Sequence, residues 1–329
     1  VNNGNNVTTA RTLSVTLTDA VVGALSVQDG AATVRVTATT KDAAAAGTIK
    51  VNESTSNLKN INYGTTSITV SGGKVEAITL NGKGTISLSD MATAGNITLF
   101  GGQKGASGAA ATSMPAWGGS TTVNVGSQCV TGAITTAANN DASMTVNVTG
   151  GSGSTDGVDS IDFASAGTPT TAHTVKVDGG KVGEIKLNAG TLTIGNGADT
   201  DAVTLGAGGK TTATISGAGT TVTSVGAGDS KDITLNITGG EITGKITLPA
   251  GYAKHTITGG TFGTAITDAG WLGSVNYQIE SNGKFTYTSS FQACVDAQKG
   301  NSSAVCSVVG ATNPTVEVSF VLDAPAGAN

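Results

Sequence analysis

Val177-Asp178-Gly179-Gly180-Lys181-Val182, followed by Ile185-Lys186-Leu187-Asn188, is the stretch that decides the fold. The same order stands at Val70-Ser71-Gly72-Gly73-Lys74-Val75, followed at the same interval by Ile78-Thr79-Leu80-Asn81. It returns at Ile237-Thr238-Gly239-Gly240-Glu241-Ile242 and, 20 residues later, at Ile257-Thr258-Gly259-Gly260-Thr261-Phe262. Weaker copies end at Val148-Thr149-Gly150-Gly151 and Ile215-Ser216-Gly217.

A strand, a Gly pair and a second strand, repeating at about 20 residues, is what one coil of a solenoid requires. Glycine supplies the tight corner because it accepts positive φ without a Cβ clash. Around the deciding stretch Val175, Val177, Val182, Ile185, Leu187, Leu192 and Ile194 take the inward positions. Thr, Lys, Asp and Asn occupy those between. Stacked coils pair in parallel at about 4.8 Å, and aliphatic columns fill a narrow core. The expected fold class is therefore all-β, a parallel β-solenoid or β-helix over residues 63–270 with β-rich capping regions at both ends. Uneven spacing between copies places insertions at Ala109–Gly119 and Gly151–Thr171.

Composition agrees. Charged residues are 12% of the chain and aromatics 4%, while Gly fills 49 positions. Branched Thr, Val and Ile suit a pleated surface. The net charge is −5 and the two arginines are Arg11 and Arg35, so no clustered basic footprint exists for nucleic acid. No apolar run of about 18 residues is present to span a membrane. The chain begins at Val1, which reads as a mature, processed product.

The ends depart from the repeat. Residues 1–62 lack the Gly-Gly signature but alternate at Leu13–Leu17 and Ala32–Val36, which predicts a small sandwich or a capping sheet. Residues 271–329 form the aromatic-rich C-terminal region. There Tyr277–Glu280 and Lys284–Tyr287 flank Ser281-Asn282-Gly283, a hairpin signal. Cys294 and Cys306 fall in what reads as a polar loop, FQACVDAQKGNSSAVC, and are expected to form a disulfide. Cys129 reads as a small core residue. No helix is expected anywhere. A last strand places Val316, Val318, Phe320 and Leu322 on one face. Capping of its own chain is the favoured expectation for it, and donation to a neighbouring copy is the alternative.

The Gly-Gly repeats resemble β-solenoid surface proteins of bacteria and archaea, of the surface-layer, filament-subunit and adhesin-passenger types. The Gly259–Phe262 step followed by Tyr277–Tyr287 also resembles repeat units in secreted surface proteins of anaerobic bacteria. The resemblance covers roughly residues 65–290 and implies a secreted, cell-surface structural protein that binds copies of itself. A second class, an adhesin or carbohydrate-binding fibre contacting glycans or a host surface, needs an exposed aromatic platform. Trp117 is the candidate for that platform, and Trp271 reads as core.

Catalysis is the weakest class. Polysaccharide lyases on β-helices resemble one another in a carboxylate cluster for calcium beside a basic residue, and both arginines here precede the solenoid repeats. Asp156, Asp159 and Asp162 in STDGVDSIDF are calcium candidates, although a solvated loop is the simpler reading. Asp199 and Asp201 follow Gly195-Asn196-Gly197, half of a calcium nonapeptide that needs stacked copies to hold an ion, so a turn is expected. His173 and His255 have no ligand at metal spacing and read as exposed corner residues. No catalytic residue and no cofactor is assigned.

Overall fold

The computed structural model describes residues 12–27, 31–40, 43–51, 65–100, 120–136, 142–150, 157–164, 172–206, 208–228, 232–248, 255–272 and 275–309. The chain alternates between two sheets. It opens with β1 (Thr12–Thr18), β2 (Val21–Val27), β3 (Ala31–Thr37), β4 (Ala45–Val51), β5 (Thr66–Ser71), β6 (Lys74–Asn81), β7 (Gly84–Ser89) and β8 (Thr93–Phe100). It continues with β9 (Thr121–Val125), β10 (Val130–Thr136), β11 (Met144–Thr149), β12 (Gly157–Phe163), β13 (His173–Asp178), β14 (Lys181–Leu187), β15 (Gly190–Gly195) and β16 (Asp199–Leu205). The last coils hold β17 (Thr211–Ile215), β18 (Thr221–Ala227), β19 (Ile233–Ile237), β20 (Glu241–Ile242), β21 (Ile246–Thr247), β22 (Thr256–Ile257) and β23 (Thr261–Phe262). Odd-numbered strands up to β19, followed by β22, make the first sheet, and even-numbered strands up to β20, followed by β23, make the second. Every pairing between these coils is parallel, so the chain is a parallel β-solenoid.

Register is in phase from coil to coil. Val34, Ile68, Ile86, Val123, Val146, Val175 and Leu192 stack in one inward column of the first sheet. Ile49, Ile78, Ile97, Ile134, Ile161, Ile185 and Val203 form its counterpart in the second. All are buried, and together they form one continuous core. Second-sheet strands also bend. In β6, Val75, Ile78 and Leu80 point inward, with Glu76 and Ala77 both lying between the first two. That spacing, two apolar residues three apart and a third two further on, recurs in β14 as Val182, Ile185 and Leu187. The tenth coil has one residue more between Ile242 and Ile246, which face Val222 and Val225 of β18. Ile246 is accordingly only half-buried.

The corner between the sheets is where glycine is required. Gly179 and Gly180 have φ of 85° and 73°. A Cβ on Gly179 would also run into the Gly150 carbonyl of the preceding coil.

Three expectations are corrected. The first strands are not a separate N-terminal sandwich: β1 to β4 pair in parallel with β3 to β6 and extend the solenoid. Their corners lack the Gly pair, which hid the repeat. The supposed insertion Gly151–Thr171 contains β12, whose Val158, Ile161 and Phe163 fill the same columns as Val182, Ile185 and Leu187. And the loop after the hairpin is a helix, α1 (Phe291–Gly300), capped by the Ser290 side chain, which accepts from the Ala293 N–H.

At the C-terminal end the second sheet changes direction. β24 (Tyr277–Ser281) and β25 (Lys284–Thr288) form an antiparallel hairpin through Asn282 and Gly283, whose φ are 52° and 72°. β25 pairs with β23, and β26 (Val305–Val308) pairs with β24. Tyr287 plugs the core end: its ring meets Phe262 edge-on, and its hydroxyl accepts from the Ile266 N–H and donates to Gln278.

Column geometry makes a direct prediction. Ile185→Asp puts an unpaired carboxylate where the side chain has no exposure, and costs several kcal/mol. Thr193→Asp, on the outer face of β15, changes stability far less. Urea midpoints of the two variants check the assignment, and equal midpoints would contradict it.

Candidate functional site

The outer face of the first sheet carries the most regular chemistry among the described residues. Ser14, Thr33, Ser67, Thr85 and Thr122 stand in register on successive strands. The column runs on through Thr145, Thr174, Thr191, Thr212 and Thr234, so a hydroxyl occupies this position in every coil from β1 to β19. All ten are at least partly exposed. No described element packs on this face; the hairpin, β26 and α1 extend the other sheet or lie beside its extension. Two residues further along the strands lies a mixed column that includes Arg35, Asn124, Asn147 and Lys176. Within it Asn147 Nδ2 donates to Asn124 Oδ1 at 2.9 Å, so parts of the face are locked by side-chain ladders. This column needed the register to be seen, because insertions spread its members unevenly along the chain.

The acidic candidates lie on strands of the second sheet. Asp159 on β12 and Asp201 on β16 flank Gly183, in a shallow hollow of about 280 Å³ that Lys181 and Val130 also line. Asp162 faces Lys186 across the β12–β14 ladder. Lys186 also bonds Glu184 at 2.8 Å, and these acidic neighbours raise its pKa, Glu184 first. Asp199 opens β16 and accepts from the Thr221 hydroxyl at 2.6 Å. The turn that precedes it is at Asn196-Gly197, with positive φ at both. Asp156 lies outside the described residues. Among the described residues, no three His, Cys, Asp or Glu side chains converge to hold a metal ion.

His173 and His255 are not exposed corner residues. They are 1% and 3% exposed and begin equivalent coils. The Met144 N–H donates to His173 Nδ1 at 3.1 Å, and the Leu235 N–H donates to His255 Nδ1 at 3.3 Å. Each ring therefore serves the previous coil as an acceptor, which only the neutral form can do. Both Nε2 atoms are buried without a hydrogen-bond partner among the described residues. Burial lowers both pKa values, that of His173 to about 4. His173 packs on Phe163 and His255 on Trp271.

Trp271 is half-buried and forms one wall of a cleft of about 480 Å³ with Lys245, Leu248, Ile266 and Asp268. It is thus part of a surface as well as packed on the core. Trp117 lies outside the described residues, as do Val316, Val318, Phe320 and Leu322. Cys294 on α1 and Cys306 on β26 are joined in a disulfide with Cα atoms 5.8 Å apart. Cys129 is buried in the core, and desolvation raises its thiol pKa. No helix of the described residues is long and apolar enough to cross a membrane. No family model matches the chain, and neither a curated protein nor a solved structure does so.

Two outcomes follow from these geometries. A folded-state pKa near 4 for His173 lies below its unfolded value of about 6.5, so its contribution is present above that value and is lost as pH falls toward 4. The loss amounts to roughly 3 kcal/mol for this group, and His255 acts in the same direction. Urea midpoints at pH 7 and pH 4 should differ more for the wild type than for His173→Asn; an unchanged difference would refute the neutral buried ring. Reduction of Cys294–Cys306 opens a short loop and weakens the attachment of α1 to β26 by about 2–3 kcal/mol. Hydrogen exchange with and without reductant should show α1 amides losing protection while those of β14 keep it.

Proposed function

We propose that this chain is a structural subunit of an extracellular, self-assembling polymer, a filament or a surface layer, and that it is not an enzyme. The observation that carries this reading is the state of the sheet edges. Among the described residues β1 and β22 end the first sheet, and β2 and β26 end the second, each paired on one side only. Apolar side chains accompany these edges. Leu13, Leu17, Val22 and Leu25 are only partly buried at the β1–β2 end of the core. Val21 is 76% exposed, and Val305 and Val308 on β26 are 54% and 57% exposed.

Open, apolar sheet edges promote edge-to-edge pairing, and proteins that stay monomeric blunt them. A copy of the same chain can continue the ladder at the strand spacing of about 4.8 Å. The disulfide between Cys294 and Cys306 favours an oxidising, extracellular setting. The Trp271 cleft favours a second reading, an adhesin that holds a glycan against its indole ring.

Negative-stain imaging separates the two. The polymer reading expects regular filaments or sheets from the purified chain, lost in a Leu13→Lys, Leu17→Lys variant that keeps its β circular dichroism. Dispersed rods from the wild type at all concentrations, together with glycan binding abolished by Trp271→Ala, would replace it with the adhesin reading.

A further inference from the structure

The hydroxyl column from Ser14 to Thr234 calls for an explanation beyond strand preference. Threonine favours exposed strand positions in general, and that preference acts on every outward column of the molecule alike. The neighbouring column of the same sheet nevertheless contains Arg35, Asn124, Asn147 and Lys176. An outward column of the second sheet contains Lys50, Asp162, Lys186 and Gly226. Only one of these three columns is hydroxyl in all its coils. It lies on the outer face of the first sheet, on which no described element packs.

The geometry of that column is set by the main chain. Parallel pairing spaces its members at about 4.8 Å, and the next outward column lies about 6.6 Å away along the strands. A β-branched χ1 is stiff, so each Thr presents its hydroxyl and methyl in a defined direction. The result is a one-dimensional lattice of donors and acceptors, flanked by a methyl group at every position except Ser14 and Ser67, held by a ladder rather than by the ligand. Such preorganisation removes the ordering cost that a flexible chain would meet on binding.

The ligand must share this repeat and be recognised by hydroxyls. The two columns carry no aromatic ring, so sugar rings have nothing to stack on. They carry no carboxylate, which a cation or a mineral surface would need. Protein interfaces favour aromatic cores and are depleted in Ser, opposite to this face. Ordered water remains. The oxygen repeat in hexagonal ice is close to the strand spacing, and a hydroxyl with three hydrogen-bonding sites can take the place of a lattice water.

We propose that the outer face of the first sheet binds ice, with the Ser14–Thr234 column as the contact row. The proposal is independent of the polymer reading, since it concerns a side face and not the sheet edges.

The test is partition of the purified full chain, in its smallest size-exclusion fraction, between liquid and a slowly growing ice crystal. Crystal shape is followed by microscopy. Wild type should be enriched in the ice and should facet the crystals. The double variant Thr145→Lys, Thr191→Lys should be excluded as an unrelated globular protein is, with an unchanged thermal midpoint. Thr79→Lys, the same change on the second sheet, should partition as wild type. Exclusion of the wild-type chain from ice overturns the proposal, as does equal loss in Thr79→Lys and the double variant. Retention on crystalline cellulose or chitin that the double variant loses, with no ice enrichment, also overturns it and assigns the row to a polysaccharide surface.

Discussion

Every property of this molecule depends on the parallel main-chain ladder between successive coils. Hydrogen bonds run from each strand to its equivalent one coil away, so side chains one coil apart sit directly above one another. A slip of one residue would exchange the inward and outward sets and is excluded by the aliphatic core. Sequence therefore maps onto columns, and each column can hold one chemistry. The aliphatic columns make the core, and the hydroxyl column makes a surface row. Stability in such a stack is close to a sum of coil and interface contributions, so local damage stays local.

Much of this was readable where local chemistry carried it. Gly179-Gly180 and Gly72-Gly73 mark corners because Gly179, Gly180 and Gly72 take positive φ and Gly73 lies tight against Ala44 and Val36, and that requirement is written in two letters. The Asn282-Gly283 turn was legible for the same reason. The coils of β1 to β4 were not, because their corners are built without a Gly pair. β12 was hidden by flanking Gly, Ser and Asp, although its Val158, Ile161 and Phe163 keep the column spacing. The short period-3.6 signal of α1, with Cys294 as its one buried residue, was masked by the cysteines and polar residues around it. His173 and His255 looked like surface residues because a polar ring at a strand start has no local signature of burial. Their role as acceptors for the preceding coil exists only in three dimensions.

The two sheets end differently, and this divides the work between them. The second sheet is continued by an antiparallel hairpin and β26, with α1 fastened by the disulfide. Tyr287 and Phe262 close the core there with an edge-on pair of aromatic rings. The first sheet has no such extension among the described residues. Its outer face stays a plain array of strands, and the cleft beside Trp271 forms where the last coils meet the cap.

The in-phase register also makes length a quantity that can change in whole units. Thr191 of β15 and Thr212 of β17 occupy the same place in adjacent coils, as do Leu192 and Ala213, and Ile194 and Ile215. Joining the residue just before the first member of such a pair directly to the second member removes one coil and brings two compatible ladders together. The same operation in reverse duplicates a coil. Neither changes the cross-section, the corner chemistry or the capping end. A lineage carrying this chain can thus tune the length of the rod, and the number of hydroxyls in its surface row, by deletion or duplication of whole coils. A globular core, whose packing closes in three dimensions at once, offers no such freedom.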